Sequence, residues 1–399
     1  MMRDSLEKEK TVDREWQAIA DRIIKKESAV AARNRGRIPY TTESAHVFGD
    51  WSGPDRINWW TNGFWGGILW QLWQATGEES FRREAAAVEE KLDAVLMNYE
   101  GMDHDAGFRW LPTAVAHWRV DGDARARNRG LLAAANLAGR YNPAGAFLRA
   151  WNDFNDGRDT RGWAIIDCMM NLPLLYWASD LLEDPRFREI AIRHADTAME
   201  RFIRGDGSVA HIVGFDPESG AYLREYGGQG MGDGSSWTRG QSWALYGFAL
   251  SYLHTGAERY LATARRVADR FIGRIPADGQ IPVDFDQPAD CPWRDATAAA
   301  IASCGLLTLA RILRGEDCGG TASAASVDEA GAAKAQAAAE SMLAAIDAQD
   351  ADYDPAHDEL LTKCTAAYHD REHNFPIIYG DYFYIEAIWK LTGQELFIW

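Results

Sequence analysis

One carboxyl side chain stands out in this sequence because its neighbours are apolar. Asp167 lies in the run AIIDCMM at residues 164–170, which has a helical pattern. Burial penalises the charged form of a carboxyl group, so this setting raises the pKa and keeps a proton on Asp167 near neutral pH. A general acid needs such a proton. The alternative, which the residues alone favour, is a buried Asp that caps a helix or pairs with an arginine.

A second acidic cluster precedes a predicted helix start. Asp103, His104 and Asp105 come directly before an AGF segment at residues 106–108. Helix capping explains one Asp, whereas the second Asp and the His are less easily explained in that way. Metal ligation is an alternative, but no HExxH motif or comparable second cluster accompanies it. We therefore expect neither a metal nor another cofactor.

Arginine and tryptophan open a predicted buried helix at residues 235–243. The segment SSWTRGQSW carries Arg239 between Trp237 and Trp243, and the segment NWWTNGFW at residues 58–65 places aromatic residues at another helix start. A guanidinium group suits a carboxylate, and a helix N-terminus adds positive potential. Together they favour an anionic sugar as ligand. The alternative is an arginine ion pair flanked by core tryptophans.

The Gly-rich segment GGQGMGDG at residues 227–234 resembles a phosphate-binding loop but does not match the known patterns of such loops. Asp233 stands where GxGxxG requires Gly, and no GK[ST] follows. The segment is either a loop that covers a substrate or a plain surface loop. GxSxG and SxxK patterns are absent, and no Cys has a His nearby, which argues against a Ser or Cys nucleophile.

Composition restricts the class of protein further. The chain has 399 residues and a formal charge of −17, which argues against nucleic acid and anionic membranes as partners. No apolar stretch approaches the roughly 20 residues of a membrane span, and the charged N-terminus lacks the apolar run of a signal peptide. Five cysteines without a CxxC pair fit the cytoplasm. The 17 tryptophans suit sugar binding and core packing equally well.

Apolar and amphipathic helical patterns alternate along the chain. Buried helices are predicted at residues 64–77, 164–180, 243–254, 296–313 and 382–391, and outer helices at residues 81–97, 187–202 and 260–275. A short polar turn, in most cases ending in Gly, separates successive helices, and an aromatic residue (Phe81, Phe187, Tyr260 or Phe397) opens the next one. This weak repeat predicts an all-α toroid of about six helical hairpins.

The whole chain, residues 1–399, is predicted to form one domain with an N-terminal extension over about residues 1–35. Short strands are predicted within residues 207–214 and 280–286. The segment at residues 319–331 is rich in small residues, which indicates an exposed loop before an Ala-rich outer helix.

Four motifs in this order resemble the unsaturated glucuronyl hydrolases of glycoside hydrolase family 88. They are WTNGFWGG at residues 60–67, DHDAGF at 103–108, IIDCMMNLPLL at 165–175 and WTRGQ at 237–241. Shorter segments at residues 215–217, 294–295, 304–307 and 380–384 also agree. The resemblance runs from about Trp60 to about Ala387, and it implies an (α/α)6 barrel with its site at the N-terminal ends of the inner helices.

The resemblance also implies a set of site residues. Asp167 matches the acid/base of the family, and Asp105 matches its second essential aspartate. The positions that match its other substrate-binding residues are His211, Gln229 and Arg239, and for aromatic subsites Trp60, Trp243 and Trp151.

The activity that this implies is removal of a terminal 4,5-unsaturated uronic acid from oligosaccharides left by polysaccharide lyases. Asp167 would protonate C4 and then activate the water that attacks C5, while Asp105 would hold sugar hydroxyl groups. The expected partner is this oligosaccharide, and the expected assembly is a monomer or weak homodimer.

Three departures leave the substrate open: Asn62 replaces a common Asp, Gly228 a frequent His, and residues 370–378 differ from the glycosaminoglycan type. The alternatives are an unsaturated rhamnogalacturonyl hydrolase, a non-catalytic carbohydrate-binding toroid and an epimerase. An epimerase would need histidine acid/base pairs, and only His104 and His211 lie in site motifs.

Overall fold

The chain forms a ring of paired helices. The computed structural model describes residues 2–152, 157–318 and 326–399, with side chains from residue 14 onward. The six inner helices are α2 (Phe64–Thr76), α4 (residues 106–121), α6 (Leu172–Leu182), α8 (Thr238–Thr255), α10 (Ala296–Leu313) and α12 (Ile378–Thr392). The six outer helices are α1 (Met2–Arg33), α3 (Glu79–Lys91), α5 (Ala124–Ala138), α7 (Arg186–Arg201), α9 (Glu258–Ile272) and α11 (Glu329–Gln349). Because α12 also packs against α2, the ring closes, and the predicted (α/α)6 barrel is confirmed.

Inner and outer helices differ in which of their faces are buried, as their sequences predict. Nearly every residue of α8 is buried. In α9 the buried residues recur at helical spacing and form one face, which includes Tyr260, Ala264, Val267 and Phe271. Helix α10 is long and apolar enough to cross a membrane, but 94% of it is buried inside the ring, as its place among the inner helices requires.

The ends of the inner helices follow the predicted repeat, with one exception. Gly77, Gly256 and Gly393 end helices with φ angles of 70°, 65° and 70°, a conformation that Gly adopts at little cost. The prediction that a helix begins at Phe397 is wrong. The terminal residues have no regular structure, and Trp399 Nε1 donates a hydrogen bond of 2.7 Å to buried Glu386.

The N-terminal extension predicted over residues 1–35 is instead part of the ring. Helix α1 packs against α12, and its buried face contains Trp16, Ile19, Ile23 and Val30. Burying a large apolar side chain contributes roughly 1.5–3 kcal/mol. Helix α1 is therefore the outer helix of the sixth hairpin.

The buried helix predicted over residues 164–180 is wrong in its first half. Small hairpins β1 (Thr42–Ser44)–β2 (Val47–Phe48) and β3 (Tyr141–Asn142)–β4 (Phe147–Leu148) precede a sheet of β5 (Trp163–Ile165), β6 (Ile212–Phe215) and β7 (Tyr222–Tyr226). A 3₁₀ helix (Ile166–Met170) follows β5, and α6 starts at Leu172 with Pro173 in its first turn, where no N–H is needed. Strand β5 therefore ends just before Asp167.

The remaining loop predictions have mixed outcomes. Strand β6 overlaps the strand predicted within residues 207–214, whereas residues 280–286 form only isolated bridges with Trp237 and Arg294. The predicted outer helix after residue 331 is confirmed as α11, whereas residues 319–325 of the predicted loop lie outside the described residues.

Candidate active site

A cavity of about 890 Å³ opens at the N-terminal ends of the inner helices. Six of the eight predicted site residues line it: Trp60, Asp105, Trp151, Asp167, Gln229 and Arg239. Each precedes or opens an inner helix or belongs to a connecting loop, because the loops on this side of the ring meet above its centre. The ring thus brings together residues that are far apart in the sequence.

Asp167 is set up to hold a proton near neutrality. Its side chain is only 15% exposed, and its Oδ1 atom has no hydrogen-bond partner among the described residues. Burial raises the pKa of Asp167 to about 7, against a smaller opposing effect of the Arg239 charge. The protonated and ionised forms are therefore both available at physiological pH, as general acid–base catalysis requires.

His211 faces Asp167 as a neutral imidazole. Its Nε2 atom lies 3.8 Å from Asp167 Oδ1, and its Nδ1 atom accepts a hydrogen bond of 2.9 Å from the Gln229 backbone N–H. An Nδ1 acceptor leaves the proton on Nε2, the nitrogen that faces the acid. Burial, assisted by the positive charge of Arg239, lowers the pKa of His211 to about 3. His211 also lines a neighbouring cavity of about 500 Å³.

Gly228 lets the Gly-rich loop approach this histidine. Its φ angle is 58°, and a Cβ atom there would lie 1.9 Å from His211 Nδ1. A side chain at residue 228 would therefore displace the imidazole. The His that the family resemblance leads us to expect at residue 228 therefore has no room in this chain. The same loop carries Gln229, whose side chain donates a hydrogen bond of 2.9 Å to the Ala366 carbonyl across the cavity.

Asn171 connects the two aspartates, although the sequence analysis did not single it out. Its Nδ2 atom lies 3.5 Å from Asp105 Oδ1 and 3.3 Å from the Asp167 backbone oxygen, while its Oδ1 atom accepts a hydrogen bond of 2.8 Å from Phe108 N–H. Gly107 permits this approach, because a Cβ atom there would lie 2.5 Å from the Asn171 Cα atom. In the sequence, Asn171 could have been identified as a site residue because it lies inside the motif at residues 165–175.

Asp105 is a second buried acid, and its surroundings also disfavour the ionised form. It is 7% exposed, and burial, followed by the charge of Asp103, raises its pKa well above the ordinary value. Asp103 itself bonds to Arg109 at 2.6 Å, and His104 lies 3.5 Å from Asp105. Asp103 is therefore engaged in an ion pair with Arg109 beside the buried Asp105.

Arg239 lines the cavity but is already paired. Its Nη1 atom donates hydrogen bonds of 2.7 Å to Asp295 Oδ2 and 2.6 Å to the Thr365 carbonyl, and its Nη2 atom donates to the Ala366 carbonyl. Arg239 thus forms an ion pair, as the alternative interpretation predicted, and it also lines the site. The guanidinium secures the wall at residues 365–366 and supplies positive charge to the cavity.

Aromatic residues form one wall, and Tyr379 is a member that the sequence analysis missed. Trp60 packs 4.9 Å from the Tyr379 ring and 5.4 Å from Phe108. The Tyr379 hydroxyl is buried and has no partner among the described residues, so it is free to donate to a ligand. In the sequence, Tyr379 could have been identified because it directly precedes the matched segment at residues 380–384.

Trp243 does not form the predicted aromatic subsite. It is fully buried, with its ring 5.0 Å from Phe108 and 5.4 Å from Phe383, so neither face is open to a sugar. Trp243 lies inside the ring because it falls one helical turn below Arg239 on α8. It supports the aromatic wall from behind.

Asn62 has a structural role that an Asp could not fill. Its Nδ2 atom donates hydrogen bonds of 3.0 Å and 2.9 Å to the carbonyls of Arg56 and Ile57. A carboxylate has no hydrogen to donate in this position. Asn62 therefore secures the loop that leads to Asn58 and Trp60 at the edge of the cavity.

These features define a class: toroids of six helical hairpins with a buried acid in a cavity at one end of the ring. A model of Glycosyl Hydrolase Family 88 matches residues 23–280. An unsaturated glucuronyl hydrolase of Bacillus sp. (strain GL1) is 37% identical over 351 residues, which cover 85% of this chain and 88% of that protein. An unsaturated chondroitin disaccharide hydrolase of Streptococcus pyogenes serotype M1 is 32% identical and covers 82% and 80%.

Solved structures agree with this match. The unsaturated glucuronyl hydrolase of Bacillus sp. GL1 superimposes with a TM-score of 0.84 at 32% identity, over 94% of this chain and 96% of that chain. An unsaturated glucuronyl hydrolase specific for heparin gives a TM-score of 0.82 at 27% identity, over 95% and 97%. The chain belongs to glycoside hydrolase family 88 and is a hydrolase that acts on a carbohydrate.

Proposed function

We propose that this enzyme removes the terminal 4-deoxy-hex-4-enuronic acid from lyase-generated oligosaccharides by adding water across the C4=C5 bond. The observation that carries this proposal is the buried Asp167, which has an unpartnered oxygen in the cavity and a pKa of about 7. The related unsaturated glucuronyl hydrolases support the proposal, as does a related structure with dGlcA-Glc-Rha-Glc. A binding protein would have no need of a proton held in this way.

The chemistry follows from the enol ether in the substrate. C5 carries the ring oxygen, so protonation of C4 leaves a cation that this oxygen shares. Asp167 donates the proton to C4 and, as a carboxylate, then removes a proton from the water that attacks C5. The resulting hemiketal opens and releases the rest of the sugar. This route differs from attack on the anomeric carbon between two flanking carboxylates.

The neighbouring residues orient the reactants. His211 remains neutral because its pKa is about 3, so its Nε2–H serves as a hydrogen-bond donor beside Asp167 and not as the proton source. Asp105 holds sugar hydroxyl groups and tunes Asp167. Trp60 and Trp151 offer ring faces at the cavity, and the Tyr379 hydroxyl donates to an oxygen of the sugar. No step requires a metal or a cofactor.

The leaving sugar is proposed to be unsulfated. Glu100 and Asp370 line the same cavity as Asp167 together with one exposed arginine, Arg158, and the excess of carboxylates repels a sulfate group. Asp370 lies in the segment that departs from the glycosaminoglycan type. A leaving rhamnose, as in the rhamnogalacturonyl alternative, is compatible with the same charges and is an outcome of the test below.

A substrate panel tests this proposal. Unsaturated disaccharides from chondroitin with and without sulfate, hyaluronan, heparin, gellan, ulvan and rhamnogalacturonan are incubated with the enzyme, and loss of the ultraviolet absorbance of the double bond is followed. We expect turnover of unsulfated compounds, a lower kcat/KM for their sulfated counterparts, and no turnover by Asp167→Asn. A preference for sulfated disaccharides would contradict the assigned leaving sugar, and no turnover of any unsaturated compound would contradict the activity.

We also propose that the enzyme works in the cytoplasm as a monomer or weak homodimer. All five cysteines are free thiols, and Cys168, Cys304 and Cys364 are buried, which suits a reducing compartment. Sedimentation at several concentrations measures the assembly directly.

A further inference from the structure

We propose that His46, Asp352, His357 and Glu359 form a binding site for a divalent metal ion of the zinc type, away from the cavity that contains Asp167. One ligand atom from each residue lies within 4.8 Å of the others. The proposed reaction uses none of these residues. The site joins hairpin β1–β2 to the turn at residues 352–359.

The donor set decides the class of metal. Two imidazole nitrogens and two carboxylate oxygens suit Zn²⁺, which binds four such ligands in a tetrahedron. Ca²⁺ and Mg²⁺ prefer oxygen ligands throughout, so the paired histidines favour a later transition metal. The charges agree, because the two carboxylates supply negative charge for a divalent cation, and imidazole binds metals in its neutral form.

The side chains already converge in pairs. His46 Nδ1 lies 2.5 Å from Glu359 Oε1, His357 Nδ1 lies 2.6 Å from Asp352 Oδ2, and the two rings stack with centroids 3.6 Å apart. Ligand bonds of about 2.0–2.2 Å place tetrahedral ligand atoms roughly 3.3–3.6 Å apart. The ligand atoms of each pair must therefore separate by only about 1 Å, and the side chains must turn their nitrogens toward a common point.

Glu359 supplies an independent indication of a missing partner. Its side chain is 4% exposed, and its Oε2 atom has no hydrogen-bond partner in the described part of the chain. A buried carboxylate oxygen without a partner is unfavourable. A cation bound between Glu359 and the histidines would satisfy this oxygen.

Backbone contacts hold the site in place before any metal binds. The Asp358 N–H donates a hydrogen bond of 2.9 Å to the His46 carbonyl, and Asp358 Oδ2 accepts one of 3.0 Å from the Phe48 N–H. A further acid, Asp354, lies 4.0 Å from His357 Nε2. Because the two segments are already joined, metal binding requires side-chain movement alone.

Direct metal titration of the full-length enzyme tests this site. Chelator-treated protein is titrated with Zn²⁺ by calorimetry, with Ca²⁺ and Mg²⁺ in parallel, and bound metal is counted after gel filtration. We expect one Zn²⁺ per chain and no binding of the other two ions at the same concentrations. Co²⁺ should give the visible absorption of a tetrahedral site.

Variants assign the binding to these residues. His46→Gln, at a half-exposed side chain, and Glu359→Gln should each weaken Zn²⁺ binding at least about tenfold. Glu43→Gln is the matched control, because it removes one negative charge from the same hairpin at a residue paired with Arg56. Circular dichroism verifies that each variant folds, and His46→Gln alone decides if Glu359→Gln does not.

Two results would overturn the proposal. One is the absence of stoichiometric Zn²⁺ binding by the wild-type chain, which would leave two histidine–carboxylate hydrogen bonds that connect the segments without an ion. The other is undiminished Zn²⁺ binding by a folded His46→Gln variant, which would place the metal elsewhere.

Discussion

Asp167 shows how burial can serve catalysis at the expense of stability. Its pKa is raised from 3.8 to about 7 because the ionised form is poorly solvated in the cavity. At pH values between these two numbers, the unfolded chain releases a proton that the folded chain keeps. Folding stability must then decrease as the pH rises through this interval, because the folded state binds more protons.

Replacing Asp167 by Asn should separate these two effects. We expect kcat to fall by at least about 100-fold, because the amide cannot transfer a proton. The same variant should have a higher melting temperature than the wild-type enzyme at pH 8 and an equal one near pH 3.5, since the buried charge is removed. Thermal unfolding at the two pH values measures this difference.

Asp290→Asn is the control for this comparison, because it removes the same charge from an exposed position. It should change neither activity nor the pH dependence of the melting temperature. An Asp167→Asn variant with equal or lower stability at pH 8 would contradict the account of burial.

At the scale of the element, the 3₁₀ helix Ile166–Met170 positions the acid and Asn171 connects it to α4. Asn171 contacts the Asp167 backbone and Asp105 through Nδ2 and the Phe108 N–H through Oδ1. The two aspartates belong to different hairpins, so this side chain sets their separation.

Asn171→Asp should change the pH profile without removing the acceptor for Phe108 N–H. A third carboxyl group beside Asp105 and Asp167 raises their pKa values by like-charge repulsion. In the wild-type enzyme kcat/KM should decrease above about pH 7, as Asp167 loses its proton, and in the variant this decrease should move to higher pH. Initial rates across the pH range give both profiles.

Asn171→Ala is the companion variant, since it leaves the buried Phe108 N–H without an acceptor at a cost of about 1–3 kcal/mol. Identical pH profiles for Asn171→Asp and wild type would show that residue 171 does not influence the acid.

The helical pattern predicted most of the ring, because an inner helix is apolar on all sides and an outer helix on one. It failed over residues 164–170, where the apolar run is equally compatible with a buried strand, and pairing of β5 with β6 decides the outcome. The site aspartates could be predicted from their motifs. The burial of Trp243 and the pairing of Arg239 could not, because both depend on packing across the ring.

At the scale of the whole molecule, completion of the sixth hairpin depends on α1. A chain whose first 35 residues formed an extension would leave α12 without an outer partner. Instead, α1 covers α12, and its residues Lys26 and Arg33 donate hydrogen bonds to the turn at residues 354–358. The first and last helices of the chain therefore form one hairpin.

Ile23→Ala should measure how much this hairpin contributes. Ile23 is fully buried, and its truncation should lower the free energy of unfolding by about 2–5 kcal/mol. Urea denaturation compares this variant with Lys25→Ala, an exposed control on the same helix that should be nearly neutral. Equal stability of the two variants would mean that α1 does not belong to the cooperative core.

The destination of solvent atoms in the product tests the proposed reaction most directly. An unsaturated disaccharide is hydrolysed in D2O and, separately, in water labelled with heavy oxygen, and the products are analysed by NMR and mass spectrometry. Proton donation through Asp167 predicts one deuterium at C4 and the labelled oxygen at C5, with a saturated glucuronide left intact. Label at the anomeric carbon of the cleaved bond, or cleavage of the saturated glucuronide, would contradict hydration of the double bond.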